Sequence, residues 1–306
     1  MAGFFGFFNY NKPGPGVKKD EREKTSPFRF LDIYINKFWK LINLNLIYAV
    51  VWIIPLGVSW LIATSINSNE SIDNLIRILL IMFVLVIFSP LIGPATAGFT
   101  YVLRNYSTGS STFVWMDYID TAKKNFKQAT VLCIIDFLII GFSVNNITFY
   151  FNNSGDNQIM SFISVAYLII MIFYIFMRYY IYLLLVTFNI TIRQLFKNSA
   201  ILAMAGLGRN LFTSIILLSL IMLIFYNYVV GIVIMLIIGT STLSFIIVFN
   251  SYKPIKTKIV DPYLAKLKEE EDAERPAKVH IDAENSAGED VPGEDDAEDS
   301  VFTDNG

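Results

Sequence analysis

The sequence predicts an all-α fold: a polytopic membrane helix bundle of six transmembrane helices, with both termini cytoplasmic and a disordered acidic C-terminal tail. Three observations predict it. Hydrophobic residues make up 54% of the 306 and the mean hydropathy is +0.52, too apolar for a soluble chain of this length. Six segments approach the roughly 20 apolar residues needed to cross about 30 Å of hydrocarbon. The 24 Lys and Arg residues are unevenly placed, with eight in residues 1–40, four in 102–128, three in 187–210 and seven after 250. The connections 64–74 and 143–158 hold none, and only Arg77 and Arg178 lie within apolar segments. Basic residues resist translocation, so the connections that carry them are assigned to the cytoplasm of a cell membrane.

Residues 1–40 form a cytoplasmic arm and an interfacial helix. Phe28, Leu31, Ile35, Phe38 and Trp39 share one side of 28–40, beside Lys37 and Lys40. Such a helix lies in the membrane interface or packs on the bundle. The membrane domain covers 41–250, with spans at about 41–63, 75–101, 129–149, 160–186, 210–226 and 228–249. Pro55 predicts a kink in the first. The second is interrupted by Ser89-Pro90-Leu91-Ile92-Gly93-Pro94, whose two prolines remove two backbone donors and predict a break or sharp bend. Gly93 and Ala97 add a small-xxx-small spacing there, with Ala95 and Gly98 close by, so Pro90, Gly93, Pro94, Ala97 and Gly98 mark a hinge or a helix-packing seam. The last two spans form one apolar stretch, with Tyr226-Asn227-Tyr228 as its turn.

Between the second and third spans, Trp115, Met116, Ile119, Ala122 and Phe126 occupy one helical face of 113–127. Asp117, Asp120, Lys123, Lys124 and Lys127 occupy the other, as in an interfacial helix or one packed on the bundle. Residues 193–209 hold the equivalent place between the fourth and fifth spans. The repeated order suggests two inverted three-span halves. A basic juxtamembrane segment, 251–268, precedes the acidic tail, 269–306. Residues 1–268 carry 22 basic and 11 acidic side chains, whereas 269–306 carry 2 and 15. The tail is too polar to offset its chain entropy.

The residues point away from catalysis. The single histidine, His280, lies in the tail, and the single cysteine, Cys133, lies in an apolar run without histidine nearby. No metal site, cofactor, glycine-rich phosphate loop or nucleic-acid partner is predicted, and the chain reads as a non-enzyme. The start, Met1-Ala2-Gly3-Phe4-Phe5, is not expected to be a cleavable signal. Asn69-Glu70-Ser71 and Asn146-Ile147-Thr148 fit the glycosylation pattern on outer connections. Two charges stand inside spans: Asp136 about seven residues into the third and Arg178 about eight before the end of the fourth. At about 1.5 Å per residue their depths match, so an intramembrane charged pair is expected.

Phe8-Asn9-Tyr10-Asn11-Lys12-Pro13-Gly14-Pro15-Gly16-Val17 resembles the opening of the YesL-like bacterial membrane protein family, whose function is uncharacterised. The resemblance continues through Phe38-Trp39-Lys40-Leu41 and Asn43-Leu44-Asn45-Leu46. It is most specific over Gly93-Pro94-Ala95-Thr96-Ala97-Gly98-Phe99-Thr100-Tyr101-Val102-Leu103-Arg104-Asn105. Asp117-Tyr118 and Lys124-Asn125-Phe126-Lys127-Gln128 are similar too, so it covers roughly 8–128. It implies a bacterial cytoplasmic-membrane protein often encoded near carbohydrate uptake systems and their two-component regulators. Asn9, Lys12, Arg104, Asn105, Lys123, Lys124 and Lys127 then read as a cytoplasmic face that docks a partner or meets anionic headgroups.

The leading expectation is an accessory or regulatory component linked to carbohydrate uptake or sensing, touching a carbohydrate transporter or sensor kinase in the same membrane. The alternative is a small solute permease built from two inverted three-helix halves. The permease requires a polar cavity near mid-membrane reached by Asn43, Asn45, Asp136 or Arg178. The accessory protein requires a filled core and an exposed small-residue seam.

Overall fold

The computed structural model describes residues 26–66, 71–155, 157–262, 265–267 and 269–270. Among them there are helices and turns and no strand. Contacts divide the chain into two units, Met1–Tyr252 and Lys253–Gly306. Asn9 and Lys12 of the arm, His280 and the tail beyond Glu270 lie outside the described residues.

The first unit opens with α1 (Ser26–Asn36) and α2 (Phe38–Ser65). α1 sets Phe30 on Phe245 and Phe249, with ring centroids 5.2 and 5.3 Å apart, and its Tyr34 hydroxyl meets Thr242 at 2.9 Å. It therefore packs on the bundle by this aromatic face. Phe28, Leu31 and Ile35 stay exposed, so the helix holds the bundle on one side and offers an apolar edge on another. α2 continues through Pro55 as one helix, because losing the single bond to the carbonyl of Val51 interrupts only one rung.

The second apolar segment is two helices, α3 (Ser71–Ile87) and α4 (Ser89–Thr108), bent by 65° at Phe88. Pro90 sits in the first turn of α4, where no intrahelical donor is required, but it deprives the Val86 carbonyl of the donor that would continue α3. Phe88 accepts from both Leu91 and Ile92 at 3.0 Å, and the Ser89 hydroxyl donates back to Leu85 at 3.1 Å. α4 is the most enclosed helix: Ile92 to Ala95, Ala97 to Thr100, and Val102, Leu103 and Tyr106 are all buried. It packs on α2, α6 (Phe126–Asn152), α7 (Gln158–Leu185) and the short α5 (Val114–Lys124). Gly109, in the left-handed region at φ 81°, stops it, with backbone bonds from Gly109 to Tyr106 and from Ser110 to Asn105.

α6 runs on to Asn152, and α7 starts at Gln158 under the Asn157 side chain. The connection expected at 143–158 is therefore only 153–157. Asn145 and Asn146 ride inside the helix, and the Asn-Ile-Thr pattern lies on helical backbone rather than in a loop. α8 (Ile192–Ala205) is opened by a capping box between Thr191 and Gln194 and packs on α7 and α9 (Leu207–Ile224). The turn lies where Tyr226-Asn227-Tyr228 predicts it: Asn227 caps α10 (Tyr228–Ile234), which continues through a π-helical segment, Met235–Gly239, into α11 (Thr240–Ile255).

Five helical stretches are each long and apolar enough to cross a membrane: Phe38–Ser65, Phe126–Asn152, Gln158–Leu185, Leu207–Ile224 and Tyr228–Ile255. The bent α3–α4 pair makes six if it is counted as one span. In the second unit the described residues are helical, with the end of α11 followed by a π-helical segment, Lys256–Val260.

Candidate functional site

Two glycines let two helices close onto α4. A Cβ on Gly93 would lie 2.3 Å from the carbonyl oxygen of Ala129 on α6, and one on Gly98 would lie 2.4 Å from that of Tyr118 on α5. Both contacts are to backbone, which cannot move aside as a side-chain tip would. The small-residue seam with Pro94 and Ala97 is thus buried between α4, α5 and α6, while Pro90 is exposed at the start of α4. Cys133, 3% exposed, fills the same contact beside Gly93.

α6 and α7 form a hairpin that brings the two intramembrane charges together. Arg178 Nε donates to Asp136 Oδ2 at 3.1 Å, and the Tyr174 hydroxyl donates to Asp136 Oδ1. Tyr174, Arg178 and Tyr182 are spaced four apart and so share one face of α7. The acid is 3% exposed and the arginine 42%, so the pair is one-sided: the carboxylate is enclosed and the guanidinium is open. Its Nη groups have no partner among the described residues.

What the guanidinium opens onto is a cavity of about 710 Å³. Its walls come from α2, α3, α4, α6, α7 and the π-helical segment with α11. Trp52, Phe99 and Phe137 give it aromatic surface, and Thr96, Thr100 and Ser244 give it hydroxyls. Arg178 is the one charged side chain among the described residues lining it; Asp136 stands behind. Buried Tyr48 stacks on Phe99 at 4.3 Å between ring centroids and meets Thr96 at 2.9 Å, which ties α2 to α4 along this wall.

One corner of the cavity is built on an irregular backbone. The π-helical segment leaves carbonyls without their usual donors, and Asn45, fully buried on α2, supplies them. Its Nδ2 donates to Met235 at 3.0 Å and Leu236 at 2.7 Å, and its Oδ1 accepts from the Ser241 amide at 2.7 Å. Asn45 is therefore a clasp on the wall, with its polar capacity spent, whereas Asn43 is exposed and away from the cavity. Met235 and Leu236 themselves line the space.

The basic face divides. Arg104 stacks over Tyr101 at 4.6 Å and turns inward, giving Nη1 to the carbonyl of Val186 at 2.8 Å and Nη2 to the side chain of Asn105, itself buried, at 3.0 Å. Burial lets only part of this cluster meet solvent. Lys123, Lys124 and Lys127 stay exposed at the α5–α6 junction. Phe113, Trp115, Met116 and Phe126 are exposed nearby, while Tyr118 and Thr121 face α4; burial raises the Tyr118 phenol above its ordinary range. No group of three or more metal-ligating side chains occurs among the described residues.

Residues 71–147 match the model of a family described as a protein of unknown function, DUF624. The matched stretch holds the bent α3–α4 pair, α5 and most of α6, and so includes Asp136 but not Arg178. No curated protein and no solved structure matches the chain.

Sequence reasoning singled out Asp136 and Arg178 from their depth but missed Tyr174 and the aromatic walls. The i, i+4, i+8 spacing of Tyr174, Arg178 and Tyr182 was the available signal. Tyr48, Trp52, Thr96 and Phe99 carried none, since their meeting depends on how α2 and α4 cross.

Proposed function

We propose that the protein is a non-enzymatic solute carrier of the cell membrane, six-spanning with both termini cytoplasmic, and that its solute occupies the cavity at Arg178. The observation that carries this reading is the open guanidinium on the wall of a roughly 710 Å³ space lined by helices from both halves of the membrane domain. Ionisable groups within spans that face a cavity mark solute or ion pathways. A cavity of this size holds a small molecule. The small-residue seam is consumed by internal packing, so it is not the exposed seam that the accessory reading requires. Leu85, one turn before the bend at Phe88, and Met235 and Leu236 of the π-helical segment line the same space, and such irregular points are where backbone geometry changes most cheaply.

The test is flux. Full-length protein in liposomes, loaded in turn with small neutral and anionic solutes, is expected to accelerate uptake of at least one class. Ser244→Phe, which fills the cavity from α11, is expected to abolish it. Uptake that survives Ser244→Phe, or is never seen above protein-free vesicles, overturns the reading.

A second reading is an accessory component linked to carbohydrate uptake, in contact with a transporter or sensor kinase. It rests on the resemblance carried by α4 and on the exposed apolar and lysine-bearing side of α5. Co-purification of such a partner, lost in a Lys123→Gln, Lys124→Gln, Lys127→Gln variant, would support it.

A further inference from the structure

Resting on the carrier reading, we infer that the cavity takes a monovalent oxyanion on an apolar body, such as a carboxylate or sulfonate, together with one proton that settles on Asp136. Three features lead there. Among the described residues the only charge presented to the cavity is positive, because Asp136 is enclosed behind Arg178. Arg178 engages the acid through Nε alone, which leaves the planar Nη edge, the geometry that grips a two-oxygen anion side by side. The surrounding wall is largely aromatic and aliphatic, with Trp52, Phe99 and Phe137 suited to an apolar body.

The proton follows from charge balance. Asp136 and Arg178 together are neutral, so an added anion would leave an uncompensated negative charge in a low-dielectric site, at a steep cost. Uptake of one proton by the Asp136 carboxylate restores neutrality. The anion then takes the guanidinium, and the protonated acid remains hydrogen-bonded to the Tyr174 hydroxyl. Release reverses the sequence: the anion leaves, the proton returns to water, and the Asp136–Arg178 ion pair re-forms. No bond other than O–H changes.

The groups facing Asp136 are Cys133 on its own helix and Tyr174, Arg178 and Tyr182 on α7, with Tyr48 of α2 near the guanidinium. Met82 of α3 meets α6 at Gly141, and Arg104 of α4 is spent at Val186 and Asn105.

Benzenesulfonate, which stays ionised, tests this with full-length protein in nanodiscs of phosphatidylcholine. Binding is expected, with a Kd that rises about tenfold per pH unit once the acid must be protonated to bind. Asp136→Asn, a neutral mimic of the protonated acid, is expected to bind with no pH dependence. Arg178→Lys and Ser244→Phe are each expected to weaken binding at least tenfold, and they decide the matter if Arg178→Gln does not fold. Absent binding, a pH-independent Kd in the unaltered protein, or undiminished binding by Arg178→Lys overturns the inference. Laurate supplied in the bilayer identifies the source: competition supports a lipid-borne anion, and no competition supports a water-soluble one. Benzenesulfonate binding without flux overturns only the carrier reading; flux of neutral solutes without anion binding overturns only this inference.

Discussion

Gly93 and Gly98 show how one missing methyl group sets the distance between helices. At both positions the atom that a Cβ would strike is a backbone carbonyl, so relief requires moving α6 or α5 as a whole. Gly98→Val is expected to destabilise by about 1–3 kcal/mol or to abolish folding, read as a lower melting temperature of the purified protein. Asn45 acts in the opposite sense, by adding bonds where the π-helical segment lacks them. Asn45→Leu keeps the volume but strands the Met235 and Leu236 carbonyls and the Ser241 amide, at about 1–3 kcal/mol for each group left unsatisfied. Because Met235 and Leu236 wall the cavity, the same variant is expected to lose solute binding as well as stability; stability without loss would mean that water replaces the amide. At Asp136 and Arg178, breaking the pair from one side is expected to be worse than from both. Arg178→Gln leaves an enclosed carboxylate without its cation, whereas Asp136→Asn with Arg178→Gln leaves none, so the double variant should melt higher than Arg178→Gln alone.

Helices differ in what they bury, and this decides their roles. α4 has contacts on nearly every side and positions Thr96, Phe99 and Thr100 on the cavity. Its bend from α3 was legible in the sequence because Pro90 withholds a donor there; which helices it would lie between was not, since that depends on small residues matching surfaces far along the chain. α5 is the contrary case. Its amphipathic pattern was legible, but not which side would meet the bundle: Tyr118 and Thr121 do, and Trp115 and Met116 are left exposed. With Lys123, Lys124 and Lys127 alongside, α5 is expected to lie in the headgroup region. A variant retaining Trp115 as its only tryptophan should be quenched by lipids brominated near the headgroup more than by those brominated near the chain end. The reverse order would place α5 deeper than an interfacial helix can lie.

At the scale of the molecule, the prediction concerns sidedness. The connection 153–157 and the connection 109–113 should face opposite sides of the membrane, the second cytoplasmic. With Cys133 replaced by alanine to remove the native thiol, Ser154→Cys is expected to react with an impermeant maleimide added outside intact cells. Ser110→Cys should react only after permeabilisation. Identical labelling of the two would refute the six-span arrangement, and with it the match in depth between Asp136 and Arg178.

Composition and apolar segment lengths were enough to specify helices long and apolar enough to cross a membrane, because burial in hydrocarbon and backbone hydrogen bonding are demands that each segment meets alone. Pro90 likewise acts on its own stretch of chain, so the break it causes could be read directly, whereas α4 runs on unbroken through Pro94. The cavity could not be read directly. Tyr48, Thr96, Arg178 and Ser244 are each ordinary in their own helices and become a site only where α2, α4, α7 and α11 meet, with the Asn45 clasp tying α2 to the π-helical segment and the start of α11. That meeting depends on contacts between residues far apart in the chain, and only the tertiary structure decides it.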